Sequence, residues 1–373
     1  MRPTYLEVNL SQLKQNLENI RAKVAPAKVL VVLKANAYGH GVNGVAPFIE
    51  PFADYIGVAT VEEGIYLRDL EITKPILVMG GTLPEQLFDF FEYDLTLAAS
   101  SLDLLAAADQ IAELTRKQIK VHLKIDTGME RIGVREYEAE TLIEKSLKCS
   151  QFLEVEGIFT HFANSEVTSS KKPPIVPASL QLERFQEVLS IYEKRNEPHP
   201  SIRHTANSGA TLSLPESYYD MVRPGVLFYG VYPARDIEKT IEVKPATTWK
   251  SKVVYSKITQ PGRAVSYGSL WQAEAESRIV TIPCGYADGY FRRMTNQGRV
   301  IINGKSYLQV GRICMDQFMV NVGMDDIKVG DEVTLMGEGI APEELADWAG
   351  TSEYEILTNV SGRVPRVFVG EVQ

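Results

Sequence analysis

The chain has 373 residues, 45% of them hydrophobic and 23% charged, a composition that excludes extensive disorder and suits a large domain with a smaller one. Its net charge of −9 is spread along the sequence, which disfavours nucleic acid as a partner. The N-terminal MRPTYLEVNL lacks an apolar signal core, and no apolar run is long enough for a membrane span. The three cysteines have no disulfide-like or zinc-like spacing, so we expect reduced thiols, a cytoplasmic protein and no metal site.

Strand-like and helix-like segments alternate through the first 235 residues. Asn9 is a suitable N-cap, and apolar residues at helical spacing follow it as far as Val24, so a first helix should end before Pro26. Eight later segments have the composition of buried strands: 29–33, 55–59, 75–79, 94–98, 119–125, 156–160, 201–205 and 219–222. Helix-like segments between them include 61–69, 84–91, 101–114 and 180–194. Eight parallel strands close a barrel, so the sequence predicts an α/β fold with an N-terminal (β/α)8 TIM-like barrel over residues 1–235.

The character of the sequence changes after Tyr232-Pro233. Short β-rich runs appear at 249–258, 278–283, 299–302, 318–322 and 332–336, separated by turn residues. One helical segment is predicted at 341–348, with Pro342 in its first turn. Residues 236–373 are therefore predicted to form a mostly β C-terminal domain, and Lys171-Lys172-Pro173-Pro174 an exposed loop within the barrel.

A lysine stands at the end of the first predicted barrel strand, in the stretch VLVVLKANAYGHG at residues 29–41. The C-terminal ends of barrel strands form the active site in this fold. The polar residues and glycine that this position selects are Lys34, Lys124, Asp126, Arg131, His161, His204, Asn207, Ser208, Arg223 and Gly225. A lone lysine is most often solvated or ion-paired. Partly buried among other cations, however, its amine would have a lowered pKa and could condense with a carbonyl.

Two loops after the seventh and eighth strands have the residues of a phosphate site. Ala206-Asn207-Ser208-Gly209 and Arg223-Pro224-Gly225-Val226 offer a hydroxyl, glycines and backbone N–H groups that can hold a dianion. Each tetrapeptide alone could equally be an ordinary turn. Together with Lys34 they indicate a phosphorylated aldehyde cofactor, pyridoxal 5'-phosphate.

Nine stretches of the sequence resemble one family in order along the chain. They are VVLKANAYGHG (31–41), VHLKIDTGMERIG (121–133), FTHFANSE (159–166), HTANSGATL (204–212), VRPGVLFYG (222–230), VSYG (265–268), PCGYADGY (283–290), GRICMDQ (311–317) and YEILTNVSGRVPR (354–366). The chain resembles the bacterial alanine racemases, fold-type III pyridoxal-phosphate enzymes, over essentially its whole length. The resemblance implies interconversion of L-alanine and D-alanine, supply of D-alanine for peptidoglycan, and a homodimer with shared active sites.

The resemblance also implies a role for each matching residue. Lys34 matches the lysine that carries the cofactor covalently. The other cofactor contacts it implies are Tyr38, Arg131, His161, Asn207, Ser208, Arg223, Gly225, Val226 and Tyr354. Arg131 would also bind the substrate carboxylate, and Lys124 matches a lysine often carbamylated in this family to hold that arginine.

Further residues are implied to act from the C-terminal domain. Tyr267 is similar to a catalytic base, and Met315 to a substrate contact, that the partner subunit supplies. Asp316 is implied to support catalysis, together with His161 and Arg223. The residues that match the access corridor are Tyr286, Arg292, Arg312 and Asp316. Without the resemblance, each of these would be an ordinary turn residue, surface charge or buried aromatic.

Racemisation through a freed lysine amine needs a second base on the opposite face of the substrate. Tyr267 is the candidate, but a free phenol with a pKa of about 10 is a poor base near neutrality and needs stabilising neighbours. His161 and Arg223 could be those stabilising neighbours. A guanidinium cannot accept a hydrogen bond, so at the pyridine nitrogen Arg223 would leave that nitrogen unprotonated. The hypothesis is that an unprotonated pyridine ring withdraws electrons less strongly, which disfavours transamination.

Three alternatives share parts of this pattern. A fold-type III decarboxylase would usually have an acidic residue in place of Arg223. A racemase that prefers serine or another small amino acid remains open, since NSGA and Val226 depart slightly from the common family pattern. A non-catalytic pyridoxal-phosphate carrier would consist of a single barrel and would lack the domain that contains Tyr267 and Met315.

Overall fold

The computed structural model describes residues 2–166 and 176–370, so the loop predicted at 171–174 lies outside the described residues. The chain divides into two compact units. The barrel unit consists of Lys14–Ala37 and Ala46–Val243, and the second unit of Met1–Leu13, Tyr38–Val45 and Lys244–Gln373. No helix in the described ranges has the length and apolar character that a membrane crossing requires.

Strands are numbered here in chain order. They are β1 Tyr5–Asn9, β2 Lys28–Val32, β3 Tyr55–Val58, β4 Ile76–Val78, β5 Thr96–Ala99, β6 Ile119–Asp126, β7 Val134–Arg135, β8 Leu153–Phe159, β9 Ile202–His204, β10 Met221–Val222, β11 Thr247–Lys252, β12 Tyr255–Thr259, β13 Ala264–Val265, β14 Trp271–Gln272, β15 Ser277–Ile282, β16 Arg299–Ile302, β17 Lys305–Val310, β18 Phe318–Asn321, β19 Glu332–Met336 and β20 Arg366–Val369.

Ten α-helices are formed by the described residues. They are Leu10–Val24, Val42–Ile49, Val61–Asp69, Leu87–Glu92, Leu102–Thr115, Ala139–Ser146, Ala178–Lys194, Ser208–Ser213, Pro342–Ala349 and Glu353–Thr358. Single 3-10 turns lie at Glu50–Phe52, Pro84–Gln86, Glu136–Glu138, Pro215–Ser217, Tyr267–Ser269, Tyr286–Asp288 and Arg292–Met294. The predicted N-cap of the first helix is confirmed, because the Asn9 side chain accepts a hydrogen bond from the Gln12 N–H at 3.0 Å.

Eight parallel strands build the barrel unit in the order β10-β2-β3-β4-β5-β6-β8-β9, and the short β7 pairs with β6. The ring is nearly closed. Between β9 and β10, the backbone N–H of Asp220 donates to Arg203 O at 3.0 Å, and that of Arg223 donates to Ala206 O at 2.9 Å. Each strand lies at a predicted segment, and the TIM-like fold class is confirmed.

Both faces of the barrel strands are covered, because one face lines the interior and the other packs under helices, so runs of apolar residues are expected. Val29, Leu30 and Val31 illustrate this, since consecutive residues of one strand are all fully buried. A strand with one solvated face would alternate apolar and polar residues. Continuous apolar runs therefore made strands such as β2 recognisable, whereas β6 and β9 also contain charged residues and histidines.

The second unit contains a nine-stranded sheet in the order β12-β15-β18-β17-β16-β19-β11-β1-β20. The mostly β character predicted for the C-terminal part is confirmed. The predicted run 249–258 is wrong in detail, because it forms two separate strands, β11 and β12. The sequence analysis assigned no strand before Asn9, yet β1 pairs antiparallel with β11 and parallel with β20.

The backbone directly after Lys34 turns left-handed. Ala35, Asn36 and Ala37 have φ/ψ of 52/51, 55/47 and 53/53 degrees. Each non-glycine residue in this region costs about 1–2 kcal/mol, so the turn must be held by its surroundings. The Ala37 N–H donates to Leu33 O at 2.9 Å, and the Ala35 N–H donates to Glu63 Oε1 at 2.6 Å. The strain lies next to the lysine that the sequence analysis singled out.

Two adjacent glycines after β4 allow a matched test of barrel packing. A Cβ on Gly80 would lie 2.1 Å from Ala59 O, whereas a Cβ on Gly81 would meet nothing within 4 Å. Gly80→Ala should therefore lower the free energy of unfolding by about 1–3 kcal/mol, and Gly81→Ala should change it little. Denaturant unfolding followed by circular dichroism measures both. Equal stability of the two variants would contradict the described packing.

Candidate active site

Lys34 begins the left-handed turn at the C-terminal end of β2, and its side chain is half-buried. Burial lowers the pKa of the Lys34 amine, and nearby Arg131 lowers it further. Glu63 opposes this effect and also holds the turn, because its carboxylate accepts from the Ala35 and Ala59 N–H groups at 2.6 and 2.8 Å. The structure therefore gives Lys34 a larger neutral, nucleophilic fraction than a solvated lysine has.

Arg223 follows β10 and is 3% exposed. Its guanidinium donates to Thr160 O at 2.7 Å and to Thr205 O at 3.0 Å, and it lies 2.8 Å from His204 Nδ1. His161 Nδ1 is more distant, at 3.4 Å. Burial lowers the pKa of Arg223 to about 9, so it remains protonated at neutral pH. Carbonyl oxygens and imidazole nitrogens thus fix the position of this cation.

The two histidines at strand ends differ in their surroundings. His161 is half-buried, and burial followed by the charge of Arg223 holds its pKa well below the usual value. His204 is fully buried, stacks on Phe159 at 4.6 Å, and has its pKa lowered well below the usual value by burial and then by Arg223. Both rings are therefore neutral at physiological pH.

Alternate residues of β6 point into the barrel and bring Lys124 and Asp126 to its end. Lys124 is 5% exposed, and its Nζ lies 4.3 Å from the centre of the Phe159 ring. Burial, then Arg223 and Arg131, hold the pKa of Lys124 well below the usual value. Asp126 accepts hydrogen bonds from the backbone N–H groups of Gly128, Met129, Glu130 and Arg131 at 2.9–3.2 Å. This carboxylate shapes the loop on which Arg131 stands.

The two predicted phosphate loops meet. Asn207 caps the helix Ser208–Ser213 by accepting from the Ala210 N–H at 3.1 Å, and it also accepts from Ser165 Oγ at 2.6 Å. The Ser208 hydroxyl accepts from the Leu227 N–H at 3.3 Å, which brings it beside the Gly225-Val226 turn. Ser208, Gly225 and Val226 are all buried. The structure thus brings together Asn207, Ser208, Gly225 and Val226, which come from the two loops predicted to form a phosphate site.

Tyr38 and Tyr354 lie together within the second unit, with ring centroids 6.3 Å apart. Tyr38 is buried, which raises its pKa to about 12. The chain after Tyr38 packs against the helix of Tyr354 so closely that a Cβ on Gly39 would lie 2.1 Å from Leu357 O. Arg366 donates to Gly39 O through two nitrogens, at 3.0 and 2.8 Å. The pairing of the two tyrosines is therefore supported by close backbone packing at Gly39 and by the Arg366 side chain.

The remaining predicted residues lie on turns of the second unit. Tyr267 is 70% exposed, and Ser266 before it has a φ of 67° and donates from its hydroxyl to Arg312 O at 2.6 Å. The Tyr286 N–H donates to Cys314 O at 3.1 Å, beside the exposed Met315. Arg292 is exposed on its own 3-10 turn, and Asp316 pairs with Arg363 at 2.7 Å. These turns thus place most of the set next to one another.

Comparisons with known proteins give the same result for both parts of the chain. The family models that match are "Alanine racemase, N-terminal domain" at residues 8–233 and "Alanine racemase, C-terminal domain" at 246–368. The alanine racemase of Carboxydothermus hydrogenoformans is 43% identical, over 99% of this chain and 100% of that protein. The chain belongs to the alanine racemase family.

Solved structures of alanine racemases extend this likeness to three dimensions. The enzyme of Clostridium difficile has a TM-score of 0.92 at 38% identity, covering 99% of this chain and 96% of that chain. The Bacillus anthracis alanine racemase with bound L-Ala-P has a TM-score of 0.90 at 34% identity, with the same coverage. Alanine racemases are isomerases of amino acids and use pyridoxal 5'-phosphate, so the expected family, enzyme class and cofactor are confirmed.

The groups of the barrel unit fit the cofactor of the alanine racemase family. Lys34 would supply an amine with a lowered pKa for the aldehyde, and Ser208 with the Gly225-Val226 turn would supply a buried, polar phosphate loop. Arg223 supplies a fixed cation beside them. When bound, pyridoxal phosphate captures the substrate amine and withdraws electrons from its α-carbon.

Buried polar residues that the motif analysis did not select lie behind Arg223. His122 Nδ1 lies 2.8 Å from His204 Nε2, and His122 Nε2 lies 3.1 Å from Glu156 Oε2. The Tyr55 hydroxyl and Lys120 Nζ also donate to Glu156, each at 2.8 Å. The sequence contained one indication of this group, since His122 and Glu156 are polar residues within predicted barrel strands.

The Asp126 carboxylate allows a test of how the Arg131 loop is held. Asp126→Ala should lower the free energy of unfolding by about 2–4 kcal/mol, because it leaves the four N–H groups without their acceptor. Asp126→Asn should lower the free energy of unfolding by less, since one oxygen remains to accept from Gly128, Met129 and Glu130. Only the Arg131 N–H would then face an amide NH2. Urea unfolding of both variants measures the difference. Equal losses would contradict this account.

Proposed function

We propose that this chain interconverts L-alanine and D-alanine with pyridoxal 5'-phosphate and supplies D-alanine for peptidoglycan. The observation that carries the proposal is the half-buried amine of Lys34, whose pKa is lowered, at the C-terminal end of a barrel strand. Such an amine can bond the cofactor, be released by the incoming amino acid, and then exchange the α-proton on one face. Free thiols at Cys149, Cys284 and Cys314 support a cytoplasmic location.

Arg131 is proposed to bind the substrate carboxylate and the cofactor phenolic oxygen. Its side chain is exposed, so it needs a partner to hold it in one orientation. Lys124 can supply that partner, because its low pKa leaves a neutral amine that can attack carbon dioxide. Addition of the neutral amine to carbon dioxide gives a carbamate and releases one proton, which converts a buried neutral group into an anion. An anion next to Arg131 and Arg223 is electrostatically favourable.

Arg223 is proposed to face the pyridine nitrogen of the cofactor. A guanidinium offers only donors, so this nitrogen would accept a hydrogen bond and stay unprotonated. The ring would then be a weaker electron sink, and negative charge would remain near the α-carbon. This favours prompt return of a proton to the α-carbon, which is racemisation, over transamination. It also argues against decarboxylation as the main activity.

Tyr267 is proposed as the second base, acting with Met315 in the site of a partner subunit. Both side chains are largely exposed, at 70% and 53%, and Tyr286 beside them is 42% exposed. Large side chains clustered on the surface are typical of an interface. A two-fold homodimer would cover this surface and complete both sites at once. The access corridor formed by Tyr286, Arg292, Arg312 and Asp316 would then lie between subunits.

The activity itself should be tested on the purified chain. With added pyridoxal phosphate, L-alanine should lose its optical rotation, and serine or larger amino acids should react more slowly. Lys34→Ala should abolish the reaction because the covalent link and one base are lost. Lys28→Ala is the matched control, since Lys28 lies exposed at the start of the same strand. Racemisation by Lys34→Ala, or none by the unaltered chain, would contradict the proposal.

Shared sites predict complementation between two inactive chains. When Lys34→Ala and Tyr267→Ala are co-expressed, half of the dimers are hybrids, and each hybrid has one site with both bases. About one quarter of full activity should therefore return. If each subunit used its own tyrosine, no site in any dimer would be complete, and activity would stay absent. Separately expressed chains mixed only at assay are the control.

A further inference from the structure

We propose that Glu156 is a positioning residue that acts on Arg223 through two buried histidines. The four side chains form one continuous series of contacts: Glu156 Oε2 to His122 Nε2 at 3.1 Å, His122 Nδ1 to His204 Nε2 at 2.8 Å, and His204 Nδ1 to Arg223 Nη1 at 2.8 Å. The inference deepens the proposed function, because it rests on Arg223 facing the cofactor.

Glu156 determines which atom donates and which accepts in each hydrogen bond of this series. Its oxygens accept from Lys120 Nζ and the Tyr55 hydroxyl as well as from His122, and Tyr55 in turn contacts Thr96 Oγ1 at 2.7 Å. Burial alone would raise the pKa of Glu156, but these hydrogen bonds lower it to about 2. An ionised carboxylate can only accept. The shared proton with His122 must therefore sit on His122 Nε2.

The two histidines transmit that constraint. Both rings are fully buried, and burial lowers their pKa values, so each carries one proton. With its proton on Nε2, His122 has a bare Nδ1 that accepts from His204 Nε2. His204 Nδ1 is then bare as well, and it accepts from the Arg223 guanidinium. Every donor in the series has an acceptor, in the order arginine, histidine, histidine, carboxylate.

The opposite order is not possible with the same contacts. If His122 carried its proton on Nδ1, His204 would have to accept at Nε2 and place its own proton on Nδ1. That N–H would face an N–H of Arg223 at 2.8 Å. An arginine cannot accept, so two buried donors would oppose each other and both would be left unsatisfied. The Glu156 anion therefore decides whether Arg223 finds an acceptor at this position.

The packing prevents the rings from turning away. His204 stacks on Phe159 at 4.6 Å, and His122 contacts Tyr55 edge-on with ring centroids 5.6 Å apart. Opposite His122 stands Gly157, where a Cβ would lie 2.5 Å from His122 Nδ1. A glycine at this place leaves the room that the imidazole occupies. Because the rings of His122 and His204 are held in place, only the position of the proton on each ring can change.

Histidine tautomers can be read directly, without cofactor or substrate. The chain has five histidines, so 15N-histidine labelling and long-range 1H–15N NMR give a resolvable set. The unaltered protein should show both His122 and His204 with the proton on Nε2, assigned by the loss of a signal in His122→Gln and in His204→Gln. A proton on Nδ1 of His204 would overturn the proposal, and this measurement needs no Glu156 variant to fold.

Three variants then test Glu156 itself. Glu156→Leu removes the acceptor, so the tautomer signals of His122 and His204 should change and kcat should fall roughly ten- to a hundredfold, with transamination products rising. Glu156→Gln keeps a carbonyl for His122 and should retain the tautomers and most of kcat. Glu154→Leu removes an exposed carboxylate of the same strand and should change neither.

These outcomes test the positioning role of Glu156 separately from the proposed racemase activity. Unchanged tautomers and unchanged kcat in a folded Glu156→Leu would overturn the positioning role. A loss of kcat with unchanged tautomers would also overturn it, since that pattern indicates a general structural effect. If the unaltered protein did not racemise alanine at all, the proposed function would fail, whereas the tautomers would still report whether Glu156 orders the histidines.

Discussion

Desolvated positive charge at one end of the barrel is the constraint on which this site depends. Lys34, Lys124 and Arg223 are all partly or fully buried there, and burial lowers the pKa of each. Buried cations are unfavourable unless they lose a proton or gain an anion. The lowered pKa values give the two lysines a larger neutral fraction than solvated lysines have. Arg223 stays charged, and the family's phosphate-bearing cofactor and the substrate carboxylate supply negative charge.

Positions of these cations are set by groups that do not react. Asp126 shapes the Arg131 loop with a single carboxylate, and Glu63 holds the left-handed turn after Lys34. Glu156 lies farther away and is proposed to act on Arg223 through proton order rather than through direct contact. In each case one carboxylate accepts several hydrogen bonds, because its two oxygens together offer several lone pairs.

The sequence predicted those features that depend on residues close together along the chain, and it missed those that depend on distant residues. Barrel strands such as β2 were found because a doubly covered strand is rich in apolar residues, as Val29 to Val31 show. The strand β1 was not found, since its pairing with β11 and β20 comes from the far end of the chain. The helix Glu353–Thr358, with Tyr354, is too short for a periodic pattern to identify.

By itself the sequence determined the fold class, the family and the residue types of the site, because apolar runs and motifs are local patterns that can be recognised without a structure. Only the tertiary structure decided which of these residues touch. It placed His204 against Arg223, and it joined His122 and Glu156 to them across neighbouring strands. Contacts between strands depend on register and on the space left by residues such as Gly157, and neither is encoded in a local pattern.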